Sequence, residues 1–120
     1  MELVEDKHKS EFDIQKYTNR TIFISNKDYT KPIVIHKNSI SLFSVANPSL
    51  ITVDSLKMYF KDVDLILIGT GEKSMLLSER LISYMQDSNI GLEFMNTQSA
   101  CKTHNLLLSE SRSFSSILYP

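Results

Sequence analysis

A strand made of Leu65-Ile66-Leu67-Ile68 cannot show either of its faces to water, and it is followed at once by Gly69-Thr70-Gly71. A continuous apolar run of this length is typical of a strand buried on both sides, which needs other elements packed above and below it. The chain downstream supplies them in alternation. Leu77, Leu81, Ile82, Tyr84 and Met85 fit a helix from about Ser78 to Ser88, and Ile90 to Met95 reads as a second strand. Thr97 is expected to cap a helix from about Gln98 to Ser109, and Ser113 to Leu118 closes the series as a strand. Strand, helix, strand, helix, strand implies parallel pairing with right-handed crossovers.

Upstream the period is shorter. Phe12-Asp13-Ile14, Thr21 to Ile24, Ile33 to Ile35 and Ile40 to Phe43 alternate with the polar turns Thr18-Asn19-Arg20, Ser25 to Asp28 and Lys37-Asn38, which predicts an antiparallel meander. Asn47-Pro48 marks a turn, and Val53, Leu56, Tyr59, Phe60 and Val63 recur at helical spacing behind the candidate caps Thr52 and Asp54. A chain of 120 residues with 42% hydrophobic content has room for one core. The expected fold is a single three-layer α/β domain over residues 12–120. Its central sheet is mixed, with a parallel βαβαβ C-terminal half and the N-terminal meander. Residues 1–11, rich in charge and poor in apolar groups, are expected to be a poorly ordered leader.

Thirteen basic against fourteen acidic residues leave a net charge of −1, which excludes nucleic-acid binding by bulk phosphate neutralisation and a polybasic membrane anchor. No apolar run approaches the roughly 18 residues of a membrane span, so no membrane insertion is expected. The acidic N-terminus matches neither a signal peptide nor a mitochondrial presequence. One cysteine excludes an intramolecular disulfide and a multi-cysteine metal site, and it fits a reducing compartment, with the cytoplasm as the default.

Candidate chemistry is thin. Gly69-Thr70-Gly71-Glu72-Lys73-Ser74 follows a buried strand, as a phosphate-binding loop does, but Ile66 stands where the first glycine is needed and Glu72 sets a carboxylate before the lysine. A tight turn, or a small anion or partner-contact loop at the strand's carboxyl end, fits better. Cys101 and His104 are spaced like a thiol and its activating imidazole. They nevertheless fall on one helical stripe with Ala100, Leu107 and Leu108, the face that a packed helix buries. His8, His36 and His104 have no paired spacing that a metal would use. No catalytic residue, metal site or cofactor is assigned, and the balance leans against an enzyme.

Three further stretches point to kin. Asp62-Val63-Asp64-Leu65-Ile66-Leu67-Ile68-Gly69-Thr70-Gly71, Ile90-Gly91-Leu92-Glu93-Phe94-Met95 and Ala100-Cys101-Lys102-Thr103-His104-Asn105-Leu106-Leu107-Leu108-Ser109-Glu110 occur in this order. Over residues 60–118 the chain resembles the small domain-of-unknown-function family that includes the mitochondrial complex I assembly factor three, built on an Mth-type domain. The resemblance implies a three-layer α/β fold on a mixed sheet, and for the mitochondrial member a role in assembly through protein contacts. It implies no established reaction. The family often carries Asp-Thr-Gly-Ala-Ala-Cys-Arg-Thr-Tyr-Asn at the second loop. Here Asn96 replaces the aspartate, Gln98-Ser99 the glycine and alanine, Lys102 the arginine and His104 the tyrosine. A lysine offers a point charge where arginine offers a planar fork, so bidentate anion recognition is not carried over.

Two functional readings follow. If strands 64–68 and 90–95 are neighbours, Thr70, Gly71, Glu72 and Lys73 would face Thr97, Gln98, Lys102 and Asn105 at the carboxyl ends of the strands. As a partner surface, this face would make the protein a non-enzymatic, assembly-factor-like module whose partners are respiratory-complex subunits or assembly proteins. As a crevice between loops 69–74 and 96–105, it would serve a small-molecule or anion-binding protein or an enzyme. A homo-oligomeric contact stays open beside both.

Overall fold

A computed structural model describes residues 11–120, so the expected leader lies outside the described residues except for Glu11. In chain order the described elements are β1 (Ile14–Thr18), β2 (Thr21–Ile24), β3 (Lys27–Tyr29), β4 (Ile33–His36), β5 (Ser39–Leu42), α1 (Val53–Leu56), β6 (Leu65–Gly69), α2 (Glu79–Asp87), β7 (Gly91–Met95), α3 (Thr97–Ser109) and β8 (Phe114–Leu118). β6 pairs in parallel with β7 and β8, and β4 pairs antiparallel with β8 and β5. The resulting five-stranded mixed sheet has the order β5-β4-β8-β6-β7.

The early meander is antiparallel throughout but serves two sheets, because β1, β2 and β3 form a separate three-stranded sheet. Burial explains the division. In β2, buried Ile22 and Ile24 alternate with half-buried Thr21 and Phe23, so one face suffices. In β4, Ile33, Val34 and Ile35 are buried in succession and need cover on both sides. Each hairpin turns through two residues with positive φ: Asn19 and Arg20, Ser25 and Asn26, Lys37 and Asn38. This mirror-image turn matches the twist of the flanking strands and is held here without glycine. The turn expected over Ser25 to Asp28 therefore narrows to Ser25-Asn26, and Lys27 and Asp28 enter β3.

Every residue of β6 is buried. Ile66 and Ile68 join Val34, Leu56, Leu81, Met85 and Ile117 in one core, while Leu65 and Leu67 join Ile14, Ile22, Ile24, Ala100 and Leu107 in the other. The layers follow: α1 and α2 cover one face of the central sheet, and α3 with the small sheet covers the opposite face. Helix α1 is only four residues long, opened by a reciprocal Thr52 and Ser55 capping box. It passes into a 3₁₀ turn at Lys57–Tyr59, and Val53, Leu56, Tyr59, Phe60 and Val63 still reach the same core. No helix among the described residues is long and apolar enough to cross a membrane.

Candidate functional site

The carboxyl ends of β6, β7 and β8 meet the start of α3, and small residues make the meeting possible. A Cβ on Gly69 would lie 2.9 Å from the Ala100 Cβ, 3.0 Å from Leu118 Cδ2 and 3.0 Å from Thr97 Oγ1, so the absent side chain is what lets α3 approach the sheet. Gly71 has φ +106, which turns the chain out of the strand. The cap of α3 is Asn96, whose side chain accepts from the Ser99 N–H at 2.8 Å; the cap expected at Thr97 is thus one residue early. Thr97 has another role. Its hydroxyl accepts from the Gly71 N–H at 2.8 Å and donates to the Tyr119 carbonyl at 2.5 Å, and its own N–H donates to the Gly71 carbonyl at 2.8 Å.

Thr70 is buried, and its hydroxyl donates to the Lys73 carbonyl at 2.7 Å while accepting from the Met75 N–H at 3.2 Å. Thr70, Gly71 and Thr97 therefore form one hydrogen-bonded unit with little polar capacity left. Glu72 and Lys73 stand exposed at its rim. The Glu72 carboxylate pairs with Arg20 at 3.0 Å, tying the β1–β2 hairpin to the loop; both side chains are largely solvated, so the pair adds little stability. On α3, Gln98 and Lys102 are exposed. Asn105 is not free: its amide accepts from the Ile14 N–H at 2.8 Å and donates to the Ile14 carbonyl at 2.9 Å.

β1 lies against α3, and both loops border one hollow beside it, through Glu72 and Gln98. Two solvent-open cavities flank β1. One of about 260 Å³ is lined by Gln15, Tyr17, Gln98, Cys101, Lys102 and Asn105 among others. The second, of about 370 Å³, lies among Tyr17, Asn19, Arg20, Glu72 and Gln98. Sequence reasoning misses Tyr17, which falls between the expected strand at Phe12-Asp13-Ile14 and the expected turn at Thr18-Asn19-Arg20, whereas the strand runs over Ile14–Thr18; Arg20 reads only as turn. The Ile22 and Ile24 alternation was the available signal that this hairpin lies over something.

Cys101 and His104 do lie on the buried stripe of α3 with Ala100 and Leu107. Burial pushes the Cys101 thiol up to about 12, which keeps it protonated and a poor nucleophile. The His104 ring meets the Phe12 carbonyl through Nε2 at 2.9 Å and the Ser116 hydroxyl through Nδ1 at 2.8 Å. A carbonyl can only accept, so Nε2 carries the proton and the serine donates to Nδ1. His36 is separate, with Nδ1 against Ser115 Oγ.

Burial lowers the His104 pKa, against smaller opposing contributions from the Phe12 hydrogen bond and the Asp13 charge. The folded chain thus holds the ring neutral, whereas the unfolded chain protonates it near pH 6.5. The stability contributed by this group is complete above about pH 6.5 and is lost as the pH falls from there through the depressed folded value. His36, also lowered mainly by burial, acts in the same direction. Urea midpoints at pH 7.5, 6.5 and 5.5 are expected to fall in that order, and a His104→Gln variant should show a shallower fall. An equal slope in that variant would contradict the buried neutral ring.

Comparison with known proteins adds kinship to this geometry. Residues 14–119 match the family described as "Protein of unknown function (DUF498/DUF598)". The chain is 27% identical over 124 residues to the 13 kDa major membrane protein of Francisella tularensis, covering 98% of each. It is 26% identical over 110 residues to human NADH dehydrogenase (ubiquinone) 1 alpha subcomplex assembly factor 3, which uses 89% of this chain but only 60% of that one. A solution structure of a Bordetella pertussis protein described as a Mth938-like domain has the same fold, with a TM-score of 0.75 at 20% identity over 92% of this chain and 87% of its own. The family pattern runs from the first residue of β1 to the residue after β8, and the chain belongs to the DUF498/DUF598 family of proteins of unknown function.

Proposed function

We propose that this protein is a non-enzymatic interaction module that works as one unit over residues 12–120. Its partner surface is the face where Glu72, Lys73, Gln98 and Lys102 surround Thr70, Gly71, Thr97 and Asn105. One observation carries the reading: the polar groups converging there satisfy each other. Thr97 bridges Gly71 and Tyr119, Thr70 holds its own loop, and Asn105 is bound at both ends of its amide by Ile14. A reaction centre needs polar groups aimed at a substrate, and what remains accessible here is charge on an outward surface. The kinship with proteins named as complex I assembly factors supports respiratory-complex subunits or assembly proteins as partners. The free, buried Cys101 fits the cytoplasm as the setting.

Affinity capture of the tagged chain from its own cells, alongside a Lys73→Glu/Lys102→Glu variant, tests this. Both lysines are exposed, so the double change is expected to move stability by less than about 0.5 kcal/mol and to remove at least nine-tenths of a specifically captured respiratory-complex or assembly protein. Equal capture by the variant would discard the surface, and an unfolded variant by circular dichroism would contradict the placement of the lysines.

A second reading rests on Tyr17, which lines both cavities beside β1 and whose hydroxyl is buried without a hydrogen-bond partner among the described residues. An unsatisfied group of this kind suits a small polar or anionic ligand. Thermal shifts against a panel of anionic metabolites, abolished by Tyr17→Phe, would favour it.

A further inference from the structure

β7 is an edge strand: it pairs with β6 on one side, and among the described residues nothing pairs with the other. The Gly91 N–H donates to the Asp64 carbonyl at 2.7 Å, and the Met95 carbonyl accepts from the Thr70 N–H at 2.8 Å. Residues 91, 93 and 95 therefore aim their backbone groups at β6. By the alternation of a strand, Leu92 and Phe94 aim theirs outward, leaving two N–H donors and two carbonyl acceptors in line. A groove of about 600 Å³ runs beside this edge, lined by Ile82, Met85, Ile90, Leu92 and Phe94 with the polar groups of Gln86, Ser88 and Asn89. An unpaired edge next to an apolar groove is the arrangement that accepts an added strand, with the backbone supplying affinity and the groove reading alternate side chains.

The obvious occupant is a second copy, and the chemistry of β7 opposes it in each twofold register. Centred on residue 93, antiparallel self-pairing sets the two exposed Glu93 carboxylates directly opposite each other at the closest kind of cross-strand pair, where like charges destabilise. Centred on residue 92, it calls on the Ile90 N–H, which already donates to Ser88 Oγ at 3.2 Å. Centred on residue 94, it calls on Asn96, whose carbonyl already accepts the Ala100 N–H at 2.9 Å. A strand from a different protein that pairs only with Leu92 and Phe94 and sets a basic residue opposite Glu93 avoids all three conflicts.

We propose that the outer edge of β7 binds an extended segment of a partner protein by strand addition. The segment bears a lysine or arginine opposite Glu93 and apolar side chains at the alternate positions that enter the groove against Leu92 and Phe94. This site is separate from the face carrying Lys73 and Lys102, and it deepens the interaction-module reading by naming the form and chemistry of one partner segment.

The test pans a displayed library of random twelve-residue peptides against the full chain, then maps the selected peptides by amide hydrogen exchange. Selected sequences are expected to alternate apolar with basic residues and to slow exchange at Leu92 and Phe94. They should lose roughly tenfold in affinity on Glu93→Lys, and recover it when their basic residue is changed to glutamate. Because Glu93 is exposed, that variant is expected to fold, and the recovery by charge exchange excludes a merely structural effect. No enrichment, or binding indifferent to Glu93→Lys, overturns the proposal. So does protection of the Leu92 and Phe94 amides in the free chain, whether concentration-dependent, as for a second copy, or not. Peptides lost on Lys73→Glu/Lys102→Glu but retained on Glu93→Lys would overturn this edge while favouring the other face.

Discussion

Replacing Gly69 by alanine is expected to destabilise the chain by about 3 kcal/mol, at the upper end of what one methyl forced into a packed site costs. The added carbon meets three groups at once, at 2.9 Å from Ala100 Cβ and 3.0 Å from both Leu118 Cδ2 and Thr97 Oγ1. None can easily retreat. Ala100 is fixed to the backbone of α3, Leu118 is fully buried in the second core, and Thr97 is held by two hydrogen bonds. Urea unfolding of Gly69→Ala, Ala100→Gly and the double variant separates the clash from other causes. Ala100→Gly alone loses about 1 kcal/mol of helix propensity, yet it removes the closest contact, so the double variant should be more stable than the sum of the two changes predicts. Strict additivity would show that the approach of α3 to β6 is not what the glycine permits.

Thr97→Val should cost about 2–4 kcal/mol, since an isosteric methyl leaves the Gly71 N–H and the Tyr119 carbonyl facing a buried site with neither partner. The residue is fully buried, so water cannot readily replace the hydroxyl. Thr97→Ser keeps the hydroxyl and loses one methyl group, a change expected to cost about 1 kcal/mol. The order of stability is therefore wild type, serine, valine. Valine above serine would mean that Thr97 acts by packing alone.

The second half of the fold was legible because its signals are local. The apolar run of β6 states its double burial, and Ser78, which accepts from the Leu81 N–H, starts α2 where the periodicity begins. In α3 the stripe of Ala100, Cys101, His104 and Leu107 was readable for the same reason. The division of the meander was less so, because β4 finds β8 some eighty residues further along, and no local pattern names a distant partner. The contrast between alternating β2 and uniformly apolar β4 did hold the information, in burial demand rather than in turn chemistry. Thr97 illustrates a different difficulty. Threonine and asparagine both suit a cap, and only the positions of Gly71 and Tyr119 decide that Asn96 caps while Thr97 joins two strand ends. Of the candidate site residues, Thr70 to Lys73 lie in the loop after β6 while Thr97, Gln98, Lys102 and Asn105 lie in α3, and the β1 hairpin that borders the hollows beside them carries no local sign of its partner.

The position of β8 between β4 and β6 sets an order in time as well as in space. Among the described strands of the central sheet it comes last in the chain, and it alone of them pairs with both the β4–β5 hairpin and the parallel β6–β7 pair. While it is still inside the ribosome, the two halves of the sheet have no strand in common among the described residues, and β4 and β6 each expose the edge that β8 will fill. Such long-range closure slows folding and lengthens the interval in which open edges can meet those of other chains. A nascent chain of this protein should therefore depend on chaperone cover until Leu118 has emerged, and a chain stopped before Phe114 should aggregate rather than settle into a smaller fold.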